Sequence, residues 1–305
     1  MPDGPNTPST ASGAAALDAL DALDAERRAL GAPGPVVREI AADGRSCRIV
    51  FADLGGDAPD PTESQRAESE RAESERAGSE RAGSERAGSQ RAESEQAKAS
   101  WASSERARSE LVRSEVELAR ARGWSLEWKT YGHDPGVTEL LPHLLAAGFQ
   151  AEDTEQVLVL PLDAPLPTPA HEVHRITPDR LPDYAEIASA LGRANVQAEL
   201  DLVTAELLND PDGMSVHLAY VDGEPVSCGR VYYRPGGAFA ELAGGRTKPA
   251  FRGRGLFTSV VASRLHEARS RGRRLAAVDA LPTSEPILTA LGFRAITWTR
   301  PYVLD

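Results

Sequence analysis

The chain has 305 residues, 41% of them hydrophobic, and a formal net charge of −12. That length suits two domains of ordinary size, and the acidic balance argues against non-specific binding to nucleic acid or an anionic membrane while leaving room for a local basic site. Cys47 and Cys228 are the only cysteines, too few for a disulfide framework or a cysteine metal site.

Residues 1–14 are rich in Pro, Gly, Ser and Thr and are expected to form a disordered tail. They lack the basic and apolar regions of a signal peptide, and no run approaches the length that spans a bilayer, so a cytoplasmic protein with no membrane association is expected. Leu17, Leu20, Leu23 and Leu30 mark a short helix that Gly31 and Pro33 stop. Val36–Ala41 and Cys47–Phe51 flank Asp43-Gly44 and read as a hairpin.

From Ser64 onward a pentapeptide of the type SERAE or SERAG recurs, and residues 62–103 read as an insertion within a first domain of 15–162. Each five-residue step rotates a helix by about 140° net, so no residue type lines one face and there is no stripe to bury. Pairs such as Arg66–Glu70 contribute about 0.2–0.5 kcal/mol at most, whereas Gly78, Gly83 and Gly88 each cost about 1 kcal/mol relative to Ala. The expectation is a fraying helix or disorder, and without apolar heptads a coiled coil is not expected.

The repeat merges in phase into an ordinary helix, roughly 105–122, where Leu111, Val112, Val116, Leu118 and Ala119 supply an apolar surface. Next come a strand at Trp124–Tyr131, a helix at Val137–Ala147 closed by Gly148-Phe149, and a strand at Gln156–Leu162. A proline-rich linker, 163–171, precedes a second domain, 172–305. That domain is predicted to hold a strand at His174–Ile176, helices at Leu181–Leu191 and Leu200–Leu208, and a hairpin of Ser215–Val221 and Val226–Tyr233 around Asp222-Gly223. Its last third carries a strand at Phe239–Leu242, a helix with Phe257, Val261, Leu265 and Ala268 on one face, a strand at Leu275–Val278, a helix at Ser284–Leu291 and a strand at Ala295–Val303. This order repeats that of residues 47–162, and ELLPHLLAAGF matches SEPILTALGF in kind, which suggests an internal duplication.

Between the strand at 239–242 and the long helix lies GGRTKPAFRGRG, Gly244–Gly255. A glycine turn at a helix N-terminus offers unpaired amides and the positive end of the helix dipole to an anion, and arginines add charge-assisted donors. The R-x-x-G-x-x turn at Arg252–Phe257, preceded by Pro249 and followed by L-G-F at Leu291–Phe293, resembles the GNAT superfamily of N-acetyltransferases. With Glu127–Tyr131 (EWK-x-Y) and Pro301–Val303 (PYV) it is most similar to two-part actinobacterial acetyltransferase-like proteins, the first part having lost its own cofactor turn because Ala52–Pro61 is acidic.

The resemblance implies an α/β fold with a mixed sheet, acetyl-CoA as co-substrate and a small-molecule or peptide amine as acceptor. It assigns the cofactor site to Gly245, Arg246, Thr247, Arg252, Gly253, Arg254, Gly255, Leu256 and Phe257, although Phe257 stands where a small residue is usual. Direct attack of an amine on a thioester needs a base, carbonyl-polarising donors and an acid. Glu241 is the candidate base, with Asp279 its competitor. The family's frequent acid, a tyrosine, is here Leu288, which leaves Ser284 and Tyr302 as hydroxyl candidates or a thiolate that leaves unassisted. The six histidines show no metal-ligand spacing, so no metal is expected. A non-catalytic acyl-CoA-binding module is the alternative reading; an interaction scaffold built on the repeat is a third, and a homodimer stays open.

Overall fold

The computed structural model describes residues 10–31, 34–52, 104–193 and 195–304. The pentapeptide insertion lies outside the described residues. Helix α1 (Thr10–Ala29) begins earlier than the tail boundary at residue 14 implied, although Thr10 and Gly13 are weak helix formers. Strands β1 (Val36–Ile40) and β2 (Ser46–Ala52) form the expected hairpin. Helix α2 (104–122) returns the chain to β3 (Ser125–Tyr131), which pairs parallel with β2. Helix α3 (Val137–Ala146), the short β4 (Gln150–Ala151) and β5 (Glu155–Pro161) complete the first half.

The second half runs β6 (Val173–Arg175), α4 (Leu181–Ser189), α5 (Val196–Asn209), β7 (Met214–Val221), β8 (Glu224–Tyr232), β9 (Phe239–Thr247), α6 (Leu256–Ser270), β10 (Leu275–Ala280), α7 (Glu285–Ala290) and β11 (Arg294–Leu304). The β7–β8 hairpin turns through Asp222 at φ 51° and Gly223 at φ 84°, the left-handed pair that a two-residue hairpin loop requires.

The eleven strands of the described residues form one sheet in the order β1-β2-β3-β11-β5-β10-β9-β8-β7-β6, with β4 on β11. The last strand of each half is inserted into the other: β11 lies between β3 and β5, and β5 between β11 and β10. Exchanging β1-β2-β3-β5 for β8-β9-β10-β11 maps the stretch from β1 to β8 onto itself, leaving β7 and β6 without counterparts, and the parallel pair β2/β3 answers the parallel pair β9/β10.

One face of the sheet is covered by α2 and α3, whose Val112, Val116, Leu140 and Leu144 pack on Ile49, Trp128, Phe149 and Tyr302, and by α6 and α7, whose Val261, Leu265 and Leu288 pack on Leu158, Leu160, Ala240 and Leu242. On the opposite face α4 and α5 cover β7 and β8 through Tyr184, Ile187, Val203, Val216 and Leu218. There α1 crosses the middle, with Ala19 against Val159, Phe239 and Ala277. Between α1 and α5 this second face is open over β8, β9 and β10.

A side chain at Gly132, just after β3, would place its Cβ 2.2 Å from the Trp298 indole nitrogen on β11. Gly132→Ala is therefore expected to destabilise the fold by about 1–3 kcal/mol, and Trp298→Leu in the same chain to recover most of that loss; urea titration of both variants measures it.

Candidate active site

The open face bears a cavity of about 1400 Å³ whose walls come from both halves of the chain, including Arg27, Glu39 and Lys129 from the first and Arg230, Glu241 and Asp279 from the second. Its floor is set by a parting of two strands. Strands β9 and β10 pair in parallel from Phe239/Leu275 to Leu242/Val278 and then separate; β9 runs on to Thr247 held by β8 alone. The divergence coincides with Gly244, at φ 59°, and with a register shift in β8 between Cys228 and Arg230.

The carbonyls of Arg230 and Ala243, beside the shift, accept hydrogen bonds from Arg264 Nη1 at 2.8 and 3.3 Å. Arg264 is buried, its guanidinium fills the space where a Cβ on Gly229 would lie, and burial lowers its pKa to about 10. Phe257, the departure from the small residue usual at its position, lays its ring over Gly245, where a Cβ would come within 2.9 Å. The missing side chain of one residue thus accommodates the large side chain of the other.

At the outer end of β9 the chain passes through a short 3-10 turn, Pro249–Phe251, into Gly253 at φ 72° and Gly255 at φ 78°, the latter capping α6. These left-handed positions are inexpensive for glycine, and the first amides of a 15-residue helix face outward from them. Arg252 and Arg254 are exposed and, among the described residues, pair with no carboxylate, so their charges are available to a polyanion. The segment expected to be a plain linker lies against this turn: the backbone amides of Ala170 and His171 donate to Ser259 Oγ, and His171 Nε2 lies 2.6 Å from the Arg254 carbonyl.

Three of the residues assigned to the cofactor have side chains committed elsewhere. Arg246 forms a two-pronged ion pair with Glu199 on α5 and also bonds Tyr184. Thr247 is buried, its hydroxyl 2.8 Å from Ser227 Oγ, and Leu256 packs with Val226 and Val260. These side chains hold β9 and α6 in place.

Glu241 and Asp279 are brought together. Glu241 pairs in register with Ala277, so it and Asp279 project from adjacent strands on the same face. Each has a cationic partner that was not legible in the sequence: Arg234 Nε donates to Glu241 Oε1 at 3.0 Å and its Nη2 to Glu39 at 2.8 Å, and Lys129 bonds Asp279. Burial alone would weaken the Lys129 cation, but the Asp279 charge overrides it and raises its pKa. Glu155, on β5, is a further neighbour; burial and the Asp279 charge raise its pKa. Alternation in Glu127-Trp128-Lys129-Thr130-Tyr131 was the available signal, because it puts Glu127, Lys129 and Tyr131 on one face.

Ser284 lines the cavity, its hydroxyl donating to the Leu281 carbonyl at 3.2 Å, beside the buried Leu288. Tyr302 is a correction. It faces the other side of the sheet, buried in the first-half core against Trp128 in register, because two-residue alternation puts it opposite Pro301. Cys228 is fully buried and its thiol is pushed up to about 11, so it stays protonated at neutral pH. Asp24, His133 and Asp134 converge within 4.8 Å of one another, and the Arg27 guanidinium bonds both carboxylates at 2.7–2.8 Å, supplying the positive charge such a cluster requires.

The model of the Acetyltransferase (GNAT) family matches residues 179–293. Similar solved structures include a conserved protein from Staphylococcus epidermidis (14% identity, 64% of this chain and 78% of that one, TM-score 0.48). A GCN5-related N-acetyltransferase from Kribbella flavida is also similar (20%, 62% and 73%, 0.47). So is a tandem GNAT protein from the clavulanic acid biosynthesis pathway (18%, 68% and 69%, 0.46). Among curated protein sequences none matches. No helix among the described residues is long and apolar enough to cross a membrane.

The Glu199 carboxylate beneath the cleft is held down to about 2: burial alone would raise it, but hydrogen bonds from Arg246 and Tyr184 and the charges of Arg246 and Arg230 prevail. Its ordinary value is 4.5, so its contribution to stability is complete above that pH and is lost as pH falls towards 2. Glu199→Gln is expected to cost about 3 kcal/mol at neutral pH, the penalty of leaving buried guanidiniums without their carboxylate. It should also flatten the acid limb of a thermal-unfolding series run from pH 7 to pH 2.

Proposed function

We propose, from the match of residues 179–293 to the Acetyltransferase (GNAT) family, that the protein transfers the acetyl group of acetyl-CoA to an amine by direct attack. The observation that carries this reading is the continuity of three features along β9: the glycine turn at the α6 N-terminus, the gap between β9 and β10, and Glu241 at the mouth of the cavity. The residues present suit the co-substrate. Amides at 253–257 with Arg252 and Arg254 would take its pyrophosphate, and the unpaired edge of β9 from Ala243 to Thr247 would take the amide-bearing arm.

Glu241 is the base in this reading, acting through Oε2, since Oε1 is engaged by Arg234. It removes a proton from the acceptor ammonium, and the freed amine forms the N–C bond to the acetyl carbonyl. The C–S bond then breaks with its electron pair leaving on sulfur. Of the two protons the nitrogen gives up, one passes through Glu241 to solvent and the other ends on the CoA thiol. Leu288 offers no acid, and Ser284 is the hydroxyl nearest to that role on the cavity wall. Asp279, tied to Lys129, acts as a positioning residue that keeps a first-half cation in the site. The first half, 15–162, is in this reading a relative of the second that has lost its own turn and now walls the acceptor cleft.

Calorimetric titration of acetyl-CoA tests the cofactor part: Gly255→Asp, which sets a negative charge against the pyrophosphate, is expected to weaken binding by about a hundredfold or more, roughly 2.7 kcal/mol. Glu241→Gln should bind acetyl-CoA and lose about 10²–10³ in turnover at pH 7, with partial recovery at higher pH as the free amine becomes abundant. Full turnover in Glu241→Gln at pH 7 would remove it as base. Saturable acetyl-CoA binding without acetylation of any amine across a broad screen would instead favour a binding module, a reading that the ion-paired state of both Glu241 and Asp279 supports.

A further inference from the structure

We infer that Arg230 is the receptor for a carboxylate on one of the two reactants, so that this acyltransferase handles a carboxylate-bearing acceptor or acyl group. The inference rests on the acyl-transfer reading and specifies its substrate class.

The observation is a local surplus of guanidinium, with Arg193 exposed at the rim and Arg230, Arg246 and Arg264 largely withdrawn from solvent. Arg193, Arg230 and Arg246 all approach one carboxylate, Glu199, at 3.8, 3.3 and 3.1 Å. Arg264 lies beside them beneath the parting strands and, among the described residues, pairs with no carboxylate. Glu199 is already saturated: Tyr184 donates to its Oε1 at 2.6 Å and Arg246 takes both its oxygens. Glu206, the other acid on this wall, accepts from Tyr232. Arg230 therefore has a single long bond, from Nη1, while its buried Nε has no partner and no bond from Nη2 exists among the described residues. A buried cation left so poorly matched is costly unless a ligand completes it.

The unpaired edge has a shape and a place. Nε and Nη2 form the planar fork that binds a carboxylate through two parallel hydrogen bonds. Both atoms lie where a side chain on Gly244 would be, 3.2 and 3.3 Å from the position of its absent Cβ. Gly244 marks the start of the gap between β9 and β10, and Arg230 lines the cavity there between the rings of Tyr184 and Tyr232. In register Tyr232 faces Glu241 and Arg230 faces Ala243. Arg230 is thus diagonal to the proposed base, their backbone positions about 7–8 Å apart, so that both side chains can serve one pair of reactants.

The test uses the full chain and two matched arms. Acetyl-CoA is titrated first; failure to bind would defeat the acyl-transfer reading itself, independently of any preference for a carboxylate. In the acceptor arm, glycine, L-glutamate, L-lysine and L-phenylalanine are each compared with their carboxamides for binding and for acetylation in the presence of acetyl-CoA. In the donor arm, succinyl-CoA is compared with butyryl-CoA. One arm is expected to favour the carboxylate member by about tenfold or more, which tells whether the acceptor or the acyl group bears it. Arg230→Gln should erase that preference, and Arg230→Lys, which keeps charge but not the fork, should retain part of it. Equal affinities in both arms for the wild type, or a preference that persists in Arg230→Gln, would overturn the inference; the wild-type comparison stands even if the variants do not fold.

Discussion

The structure depends on the interleaving of β5 and β11. Each is the last strand of its half, and each is bonded to the other, β5 also to β10 and β11 also to β3. Were each last strand kept in its own half, β5 and β11 would be open sheet edges with unpaired backbone groups; with the exchange both are interior and two half-sheets become one. The two halves cannot then be separated without breaking ladders on both sides of the β5–β11 pair, so their cores and their polar faces share one frame.

The composite cleft is a consequence of that frame. Because β3 and β10 lie on either side of the exchanged pair, Lys129 reaches Asp279 and Glu39 reaches Arg234, although each pair is far apart in sequence. Helix α1 is anchored on the same face by Arg27, which bonds Asp134 and the Val50 carbonyl and stacks 3.7 Å from the Tyr131 ring centroid. Most charges in the cleft wall are paired; Arg264 bonds only backbone carbonyls, and Arg230 keeps a buried Nε without a partner, the feature on which the inferred carboxylate receptor rests.

The glycines of the site divide into two physical kinds. Gly253 and Gly255 are needed for their left-handed backbone, which turns the helix amides outward. Gly229 and Gly245 are needed for space, because Arg264 and Phe257 occupy the volume a Cβ would take. Gly244 does both, bending β9 away from β10 and leaving room before Arg230. A glycine-rich motif in this chain therefore encodes packing as well as the helix-start turn proposed to bind an anion.

Local pattern alone determined the elements and the turn. Two-residue alternation located the strands, helical periodicity located the helices, and Gly253 and Gly255 before an apolar-striped helix located the turn proposed as the anion site, since these signals depend only on neighbours in the chain. Local pattern did not reveal that the halves exchange strands, that the 163–171 segment packs on the turn, or that Arg246 is spent on Glu199. It ranked Tyr302 with the site residues, when only the register of β11 against β3 tells which face a tyrosine in an alternating strand occupies. The same holds for Lys129, Arg230 and Arg234. Their residue types were visible from the start, but whether a cation is paired, buried or facing a reactant depends on strands that meet only in the folded sheet, and so only the tertiary structure decided it.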